Sequence, residues 1–134
     1  MGLALAGCSS PTDAALTDAR QTCTSLGYGG DSKSTATSAT SDPSTWDAVK
    51  WAELAESTDE RADQAARAAR EDPRWDRLSN AVTDFHKLTE LRGTIENPEV
   101  PLADRNAAQA QYDAMNSPGV VRSLEQECRK ALAD

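Results

Sequence analysis

Apolar residues recur every three or four positions through most of this chain, which is the spacing of one face of an α-helix. Five segments carry the pattern, and capping residues, glycine or proline bound them. The predicted helices run from Ser10 or Thr12 to about Gly27, from 44–47 to Asp72, from Trp75 to about Gly93, from Ala103 to Ala114, and from Ser117, the expected cap, towards the C-terminus. Because the links are short, we expect an all-α, antiparallel bundle of four or five helices.

The apolar stripes of these helices differ in the size of their side chains. Only the third helix has an unbroken line of large residues, and we expect it to be the spine of the core. The others depend on alanine, which suits closely packed helices. In chain order the predicted stripes are Leu16, Ala19, Cys23 and Leu26; Trp51, Leu54, Ala55, Thr58, Ala62, Ala65 and Ala69; Trp75, Leu78, Val82, Phe85, Leu88 and Leu91; Ala103, Ala107, Ala110 and Ala114, flanked by Tyr112 and Met115; and Val121, Leu124, Cys128 and Ala131.

The composition limits the size of the core. Leu, Ile, Val and Phe number 18 of the 134 residues and the net charge is −8, a balance typical of disordered chains. The 23 alanines and three tryptophans favour instead one folded, thinly cored domain over 13–134. The acidic charge argues against a nucleic-acid partner, whose phosphates need a basic surface, and we interpret it as keeping the domain soluble.

Residues 29–45 differ from the rest of the domain. They are mostly Ser, Thr, Gly and Ala, with Asp42-Pro43 near the end. This segment is too polar to pack, so we expect a flexible, disordered surface loop. It is either a bare linker or a carrier of sugars on its hydroxyl groups.

The N-terminal segment changes from apolar to polar at Cys8. Leu5-Ala6-Gly7-Cys8 resembles the lipobox of bacterial lipoproteins, in which a diacylglycerol is attached to the cysteine thiol and a peptidase cuts before that cysteine. The resemblance implies a lipid-anchored protein on the extracytoplasmic face of the cell membrane, with 8–12 as a lipidated tether. Residues 1–7 are then a truncated signal peptide, because a complete one needs a basic start and a longer apolar run.

Two cysteines remain once Cys8 is assigned to lipid. Cys23 and Cys128 lie on the apolar stripes of the first and last helices, and thiols oxidise in an exported protein. We therefore expect a disulfide that ties together the two ends of the domain. A metal site is disfavoured because two lone cysteines and one histidine lack ligand spacing.

No residue pattern points to catalysis, and we expect a protein that is not an enzyme and needs no cofactor. His86 is the only histidine, lies one step off the apolar stripe, and fits a boundary position better than a general base. The glycine-rich elbows and loops of hydrolases and nucleotide-binding proteins are absent from the sequence. The large aromatic residues are either core filling or a contact surface, and they are Trp46, Trp51, Trp75 and Tyr112.

Two functions are compatible with these residues. The first is a lipoprotein of the cell envelope that presents a helical surface to another exported protein, through Trp46 and the exposed faces of the second and fourth helices. The alternative is a lipoprotein that holds a small apolar or metallated ligand between its helices, near Tyr112 and His86. Composition resembles that of small uncharacterised lipoproteins of high-GC Gram-positive bacteria, which implies an envelope location and no particular activity.

The lipid anchor is testable in a bacterial host that processes lipoproteins. With a complete signal peptide restored, we expect the chain to fractionate with membranes and its first mature residue to be a diacylated Cys8. Cys8→Ser removes the acceptor thiol and should move the chain out of the membrane fraction, as measured by fractionation and mass spectrometry. Cys8 found as an unmodified thiol in the unsubstituted protein contradicts the anchor.

Overall fold

A computed structural model describes residues 11–28 and 47–133. These ranges contain five α-helices and no strand, so the expected all-α fold is confirmed. The helices are α1 (Pro11–Ser25), α2 (Ala48–Glu71), α3 (Asp76–Ile95), α4 (Leu102–Ala114) and α5 (Ser117–Leu132), with a single 3-10 turn at Pro73–Trp75 before α3. The predictions for Cys8, the 29–45 loop and Trp46 fall outside the described residues.

Local sequence explains where the helices begin and end. Gly27 has a φ of 97°, which only glycine adopts readily, and the next amide, that of Tyr28, donates to the Cys23 carbonyl. The Asp47 carboxylate caps α2 by accepting from the Lys50 amide at 3.0 Å. The Asp72 carboxylate accepts from the Arg74 amide at 3.1 Å, so the expected break at Asp72-Pro73 is a tight turn.

Two predicted boundaries differ from the structure. The N-cap of α5 is Asn116, in the left-handed region with a φ of 56°, and Ser117 is already helical. The amides of Gly119 and Val120 donate to the Asn116 carbonyl, which moves the cap one residue earlier than expected. Helix α3 continues past Gly93 to Ile95, because Gly93 lies against Trp51, where a Cβ would be 3.7 Å from the Trp51 Cβ.

Contacts between helices show that neighbours run antiparallel. Thr58 and His86 meet in the middle of α2 and α3, while Trp51, near the start of α2, meets Gly93, near the end of α3. Pairs between the other helices follow the same rule, and they are Thr22 with Gln64, Ser25 with Arg61, Arg20 with Ala131 and Cys23 with Cys128. Helices α1, α2, α3 and α5 therefore form an up-down four-helix bundle, and α4 packs mainly against α3 on its outside.

The core of the bundle is built largely from small side chains. Six alanines and both cysteines of the disulfide make up most of it, joined by a few larger residues. The buried cluster comprises Ala15, Ala19, Cys23, Ala65, Ala68, Trp75, Leu78, Ala81, Val82, Leu124, Cys128 and Ala131. The predicted stripes of α1, α3 and α5 run mostly through this cluster, and small residues allow the close approach that was expected.

The predicted apolar stripe of α4 is wrong. Its four alanines, Ala103, Ala107, Ala110 and Ala114, are exposed, and the buried alanine of this helix is Ala108. The side of α4 that faces the bundle is one position away and carries Arg105, Ala108, Tyr112 and Met115. Alanine costs little in water and is common on exposed helix surfaces, so a line of alanines does not by itself identify the buried side.

Polar side chains also lie between α1 and α2, where the sequence predicted an apolar stripe. Gln64 is 6% exposed. Its carbonyl oxygen accepts from Thr22 Oγ1 at 3.2 Å and from Arg61 at 3.2 Å, and its Nε2 donates to Gln21 at 2.8 Å. Because both the oxygen and the nitrogen of the amide have hydrogen-bond partners, its burial is tolerated. On α5, Val120 is buried and the predicted Val121 is 37% exposed.

The expected disulfide between Cys23 and Cys128 is confirmed. The sulfur atoms are 2.09 Å apart, the Cα atoms are 5.5 Å apart, and both residues are almost wholly buried. Arg20 adds a second link between the same two helices, since its Nε donates to the Ala131 carbonyl at 2.9 Å.

Among the described helices, none has both the length and the apolar character needed to cross a bilayer.

Close packing through alanine predicts that enlarging a core alanine is costly. Ala65 is fully buried, so Ala65→Leu should overpack the core and lower the free energy of unfolding by about 1–3 kcal/mol. Ala107→Leu on exposed α4 is the matched control and should change it by less than about 0.5 kcal/mol. Urea denaturation measures both, and equal effects contradict the assigned core.

Candidate functional site

The five predicted contact residues do not form one site. Trp51 and Tyr112 lie together on one surface groove. Trp75 lies at the other end of the α2–α3 hairpin, where it is 3% exposed and covered by the Arg74 guanidinium 4.9 Å from its ring. His86 is not part of the groove, and Trp46 lies outside the described residues. Trp75 is thus a core residue, which agrees with core filling as the role of this aromatic side chain.

The groove is a concave surface with a volume of about 650 Å³. It is open to solvent. It lies between α5, the start of α2, the second half of α3 and the end of α4. Most of its wall is apolar or aromatic, with two arginines and one glutamate. The lining residues are Trp51, Phe85, Leu88, Thr89, Arg92, Tyr112, Ser117, Pro118, Val121, Arg122 and Glu125.

Arg92 is held in place by two aromatic rings. Its guanidinium carbon lies 5.2 Å from the centre of the Trp51 ring and 5.6 Å from that of Tyr112. The Nη2 atom also forms an ion pair with Glu96 at 2.8 Å. Cation–π contacts of this kind contribute about 0.5–2 kcal/mol each, depending on exposure. Arg92 therefore joins α2, α3 and α4 at the groove and has little freedom to move.

The α5 wall of the groove is more exposed. Val121 is 37% exposed and lies between Pro118 and Arg122 on the rim. Arg122 is exposed and has no ion pair within 4.0 Å among the described residues. This combination of an apolar floor and a basic rim suits an apolar binding partner with some polar groups at its edge.

The sequence identified part of this groove. Trp51 and Tyr112 were candidates, whereas Phe85 and Leu88 were expected only in the core, and Arg92, Arg122 and Glu125 were overlooked. A signal was present, because residues 85, 88 and 92 share one side of α3, as 118, 121 and 125 share one side of α5. Arginines are common on solvent-exposed sides of helices, so their charge did not single them out.

His86 has a polar environment away from the groove. Its Nδ1 lies 2.9 Å from Thr58 Oγ1, and its Nε2 lies 3.7 Å from Asp59 and 3.5 Å from Glu90. The ring is mostly buried, as expected of a boundary histidine. Residues 11–28 and 47–133 hold no group of three His, Cys, Asp or Glu side chains suited to a metal ion. These contacts give His86 a structural place between α2 and α3.

No protein-family model, curated protein sequence or solved structure matches this chain. The groove is therefore judged on its own geometry. It brings together side chains from four helices, and three of its residues, Trp51, Arg92 and Tyr112, are of the types that contribute most to protein interfaces.

A second, smaller cavity of about 330 Å³ lies beside the disulfide. Tyr28, Glu125 and Cys128 line part of it. Burial, and next the negative charge of Glu125, raise the pKa of the Tyr28 hydroxyl above its usual value of 10.0. Glu125 thus lines both concave surfaces, and its charge contributes to the raised pKa of Tyr28.

The raised pKa of Tyr28 predicts how stability depends on alkaline pH. The folded chain binds the phenolic proton more tightly than the unfolded chain, so this contribution is complete below about pH 10 and is lost as the pH rises through the folded pKa. The stability of Tyr28→Phe should therefore fall less steeply than that of the wild type as the pH rises above about 10. Urea midpoints across this range test the difference, and parallel curves contradict the assigned environment.

Proposed function

We propose that this protein is a docking protein of the bacterial cell envelope. Lipid on Cys8 holds it on the extracytoplasmic face of the membrane, and the groove binds an apolar segment of another exported protein. The observation that carries the proposal is the groove itself, an apolar surface of four helices with a Trp–Arg–Tyr stack in its wall. Buried aromatic residues and arginine are the usual anchors of protein interfaces.

The direction of the helices favours presentation away from the membrane. Only two residues separate Cys8 from Pro11, the start of α1, so an anchor there is within about 11 Å of that end of the bundle. The pairing of α1 with α2 and α5 puts this end beside the Pro73–Trp75 turn. Trp51 and Arg92 lie at the other end of the α2–α3 hairpin, about 25 Å further along. A partner in the aqueous envelope can therefore reach the groove.

The openness of the groove favours a protein segment over a small molecule. Sites for small ligands enclose about 70–90% of the ligand surface, whereas this groove leaves one side uncovered. A segment of a larger protein covers that side with its own chain. Val121, at 37% exposure on the rim of the groove, offers apolar surface to such a segment.

A small apolar ligand is the second candidate, and one observation favours it. The groove volume of about 650 Å³ lies within the range of about 300–1,000 Å³ that is usual for ligand sites. Tyr112 lines the groove as that hypothesis expected, and His86 does not. Native mass spectrometry of the protein from its own host distinguishes the two, because a resident ligand adds a fixed mass to the chain.

Photo-crosslinking from the groove tests the docking function. A photoreactive residue at position 121 should give one discrete adduct with an envelope protein in the host, because Val121 lies on the groove rim. The same residue at position 49 is the matched control, since Val49 is 65% exposed and outside the groove. That adduct should be absent at position 49.

The partner found in this way is then tested with purified proteins. Val121→Arg places a long charged side chain in the groove and should weaken binding at least about tenfold, which corresponds to about 1.4 kcal/mol. Val49→Arg should leave the affinity unchanged. Adducts of equal yield at both positions, an adduct with a small molecule only, or equal affinities of the two variants contradict protein docking at the groove.

A further inference from the structure

The groove is less acidic than the chain as a whole. The whole protein has a net charge of −8, yet two arginines and one glutamate line the groove. The two arginines come from different helices, Arg92 from α3 and Arg122 from α5. A positive side chain at the edge of a groove favours a partner whose own charge is negative at that contact.

The two arginines differ in their contacts within the chain. Arg92 is fixed by the rings of Trp51 and Tyr112 and by Glu96, so its charge is partly balanced within the chain. Arg122 is exposed on the rim and forms no ion pair with any described residue within 4.0 Å. Glu125, one turn further along α5, lies beyond 4.0 Å from Arg122 and acts on Tyr28. The Arg122 guanidinium is therefore available to a partner.

The start of α5 adds to the same positive charge. Ser117 and Pro118, its first two residues, line the groove, and no side chain caps this end. The aligned peptide dipoles of a 16-residue helix give its N-terminus a partial positive charge. Val121, the Arg122 guanidinium and this helix end all belong to the α5 wall of the groove.

From these observations, and resting on the proposed docking function, we infer that the segment bound in the groove is acidic as well as apolar. Its apolar side chains contact Phe85, Leu88 and Val121, and a carboxylate of the segment pairs with Arg122 on the rim. Charged groups at the edge of an interface contribute mainly to selectivity and to the rate of association. Arg122 is thus a specificity-determining residue, and the apolar floor supplies most of the affinity.

Selection from a peptide display library tests this inference and needs no purified partner. The bait is the full chain with its disulfide intact and with Cys8→Ser to keep it free of lipid. Groove binders are the clones that bind this bait and fail to bind bait that also carries Val121→Gln, a polar substitution that leaves the charge unchanged. We expect these clones to combine apolar residues with Asp or Glu, and replacing that acid by its amide should weaken binding about three- to tenfold.

A charge reversal identifies the residue that recognises the acid. Arg122→Glu should weaken the binding of the acidic peptides about tenfold or more. Peptides with Lys in place of the acid should regain affinity for this variant. Arg67→Glu is the matched control, because Arg67 is exposed on α2 outside the groove and the change in net charge is the same. It should change the affinity less than about twofold. The difference between the variants should shrink at high salt, since salt screens exposed charges.

The outcomes separate this inference from the proposed function. Groove binders without an excess of acid, or equal effects of Arg122→Glu and Arg67→Glu, overturn the acidic segment and leave docking at the groove intact. Absence of any clone that depends on Val121 overturns both. Binding to vesicles of anionic phospholipid that is lost in Arg122→Glu, without peptide binding, assigns the basic rim to a membrane surface and also overturns the inference.

Discussion

The disulfide between Cys23 and Cys128 is the constraint on which the rest of the bundle depends. It joins α1 to α5 across 105 residues of sequence, in the middle of a cluster in which Ala15, Ala19 and Ala131 are the nearest small residues of the same two helices. Alanine side chains bury little apolar surface, so these contacts alone hold α1 weakly. Closing a loop of about 100 residues reduces the entropy of the unfolded chain, which stabilises the folded state by about 4.7 kcal/mol in the chain-entropy model. Whole domains are stable by only about 5–15 kcal/mol.

This constraint explains how a thin core and an open groove exist in one small protein. The disulfide, the Arg20 hydrogen bond and the buried Gln64 amide help to fix α1 against α2 and α5, where α1 itself contributes few large apolar residues. Several of the larger side chains, among them Trp51, Phe85 and Leu88, are then left to line the groove at the far end of α2 and α3. Arg92 supports that end by linking the rings of Trp51 and Tyr112.

Sequence alone predicted the helices and the disulfide, because both depend on local or strongly periodic signals. Capping residues and proline marked helix ends to within a few residues, and two cysteines on apolar stripes paired as expected. The buried side of α4 was not predictable, since alanine is compatible with both water and core, and Arg105 and Tyr112 face inwards instead of Ala103 and Ala107. The groove was found only in part, because its arginines acquire their role from residues distant in sequence, as Arg92 does from Trp51.

The most direct test of this account is the stability of the chain without its disulfide. Cys23→Ala combined with Cys128→Ala, or mild reduction of the wild type, is compared with the oxidised protein by urea denaturation and amide hydrogen exchange. Loss of the bond should reduce the free energy of unfolding by about 4–5 kcal/mol, and the α1 amides should lose protection before those of α3. A bundle that keeps its stability and its α1 protection without the bond contradicts the account.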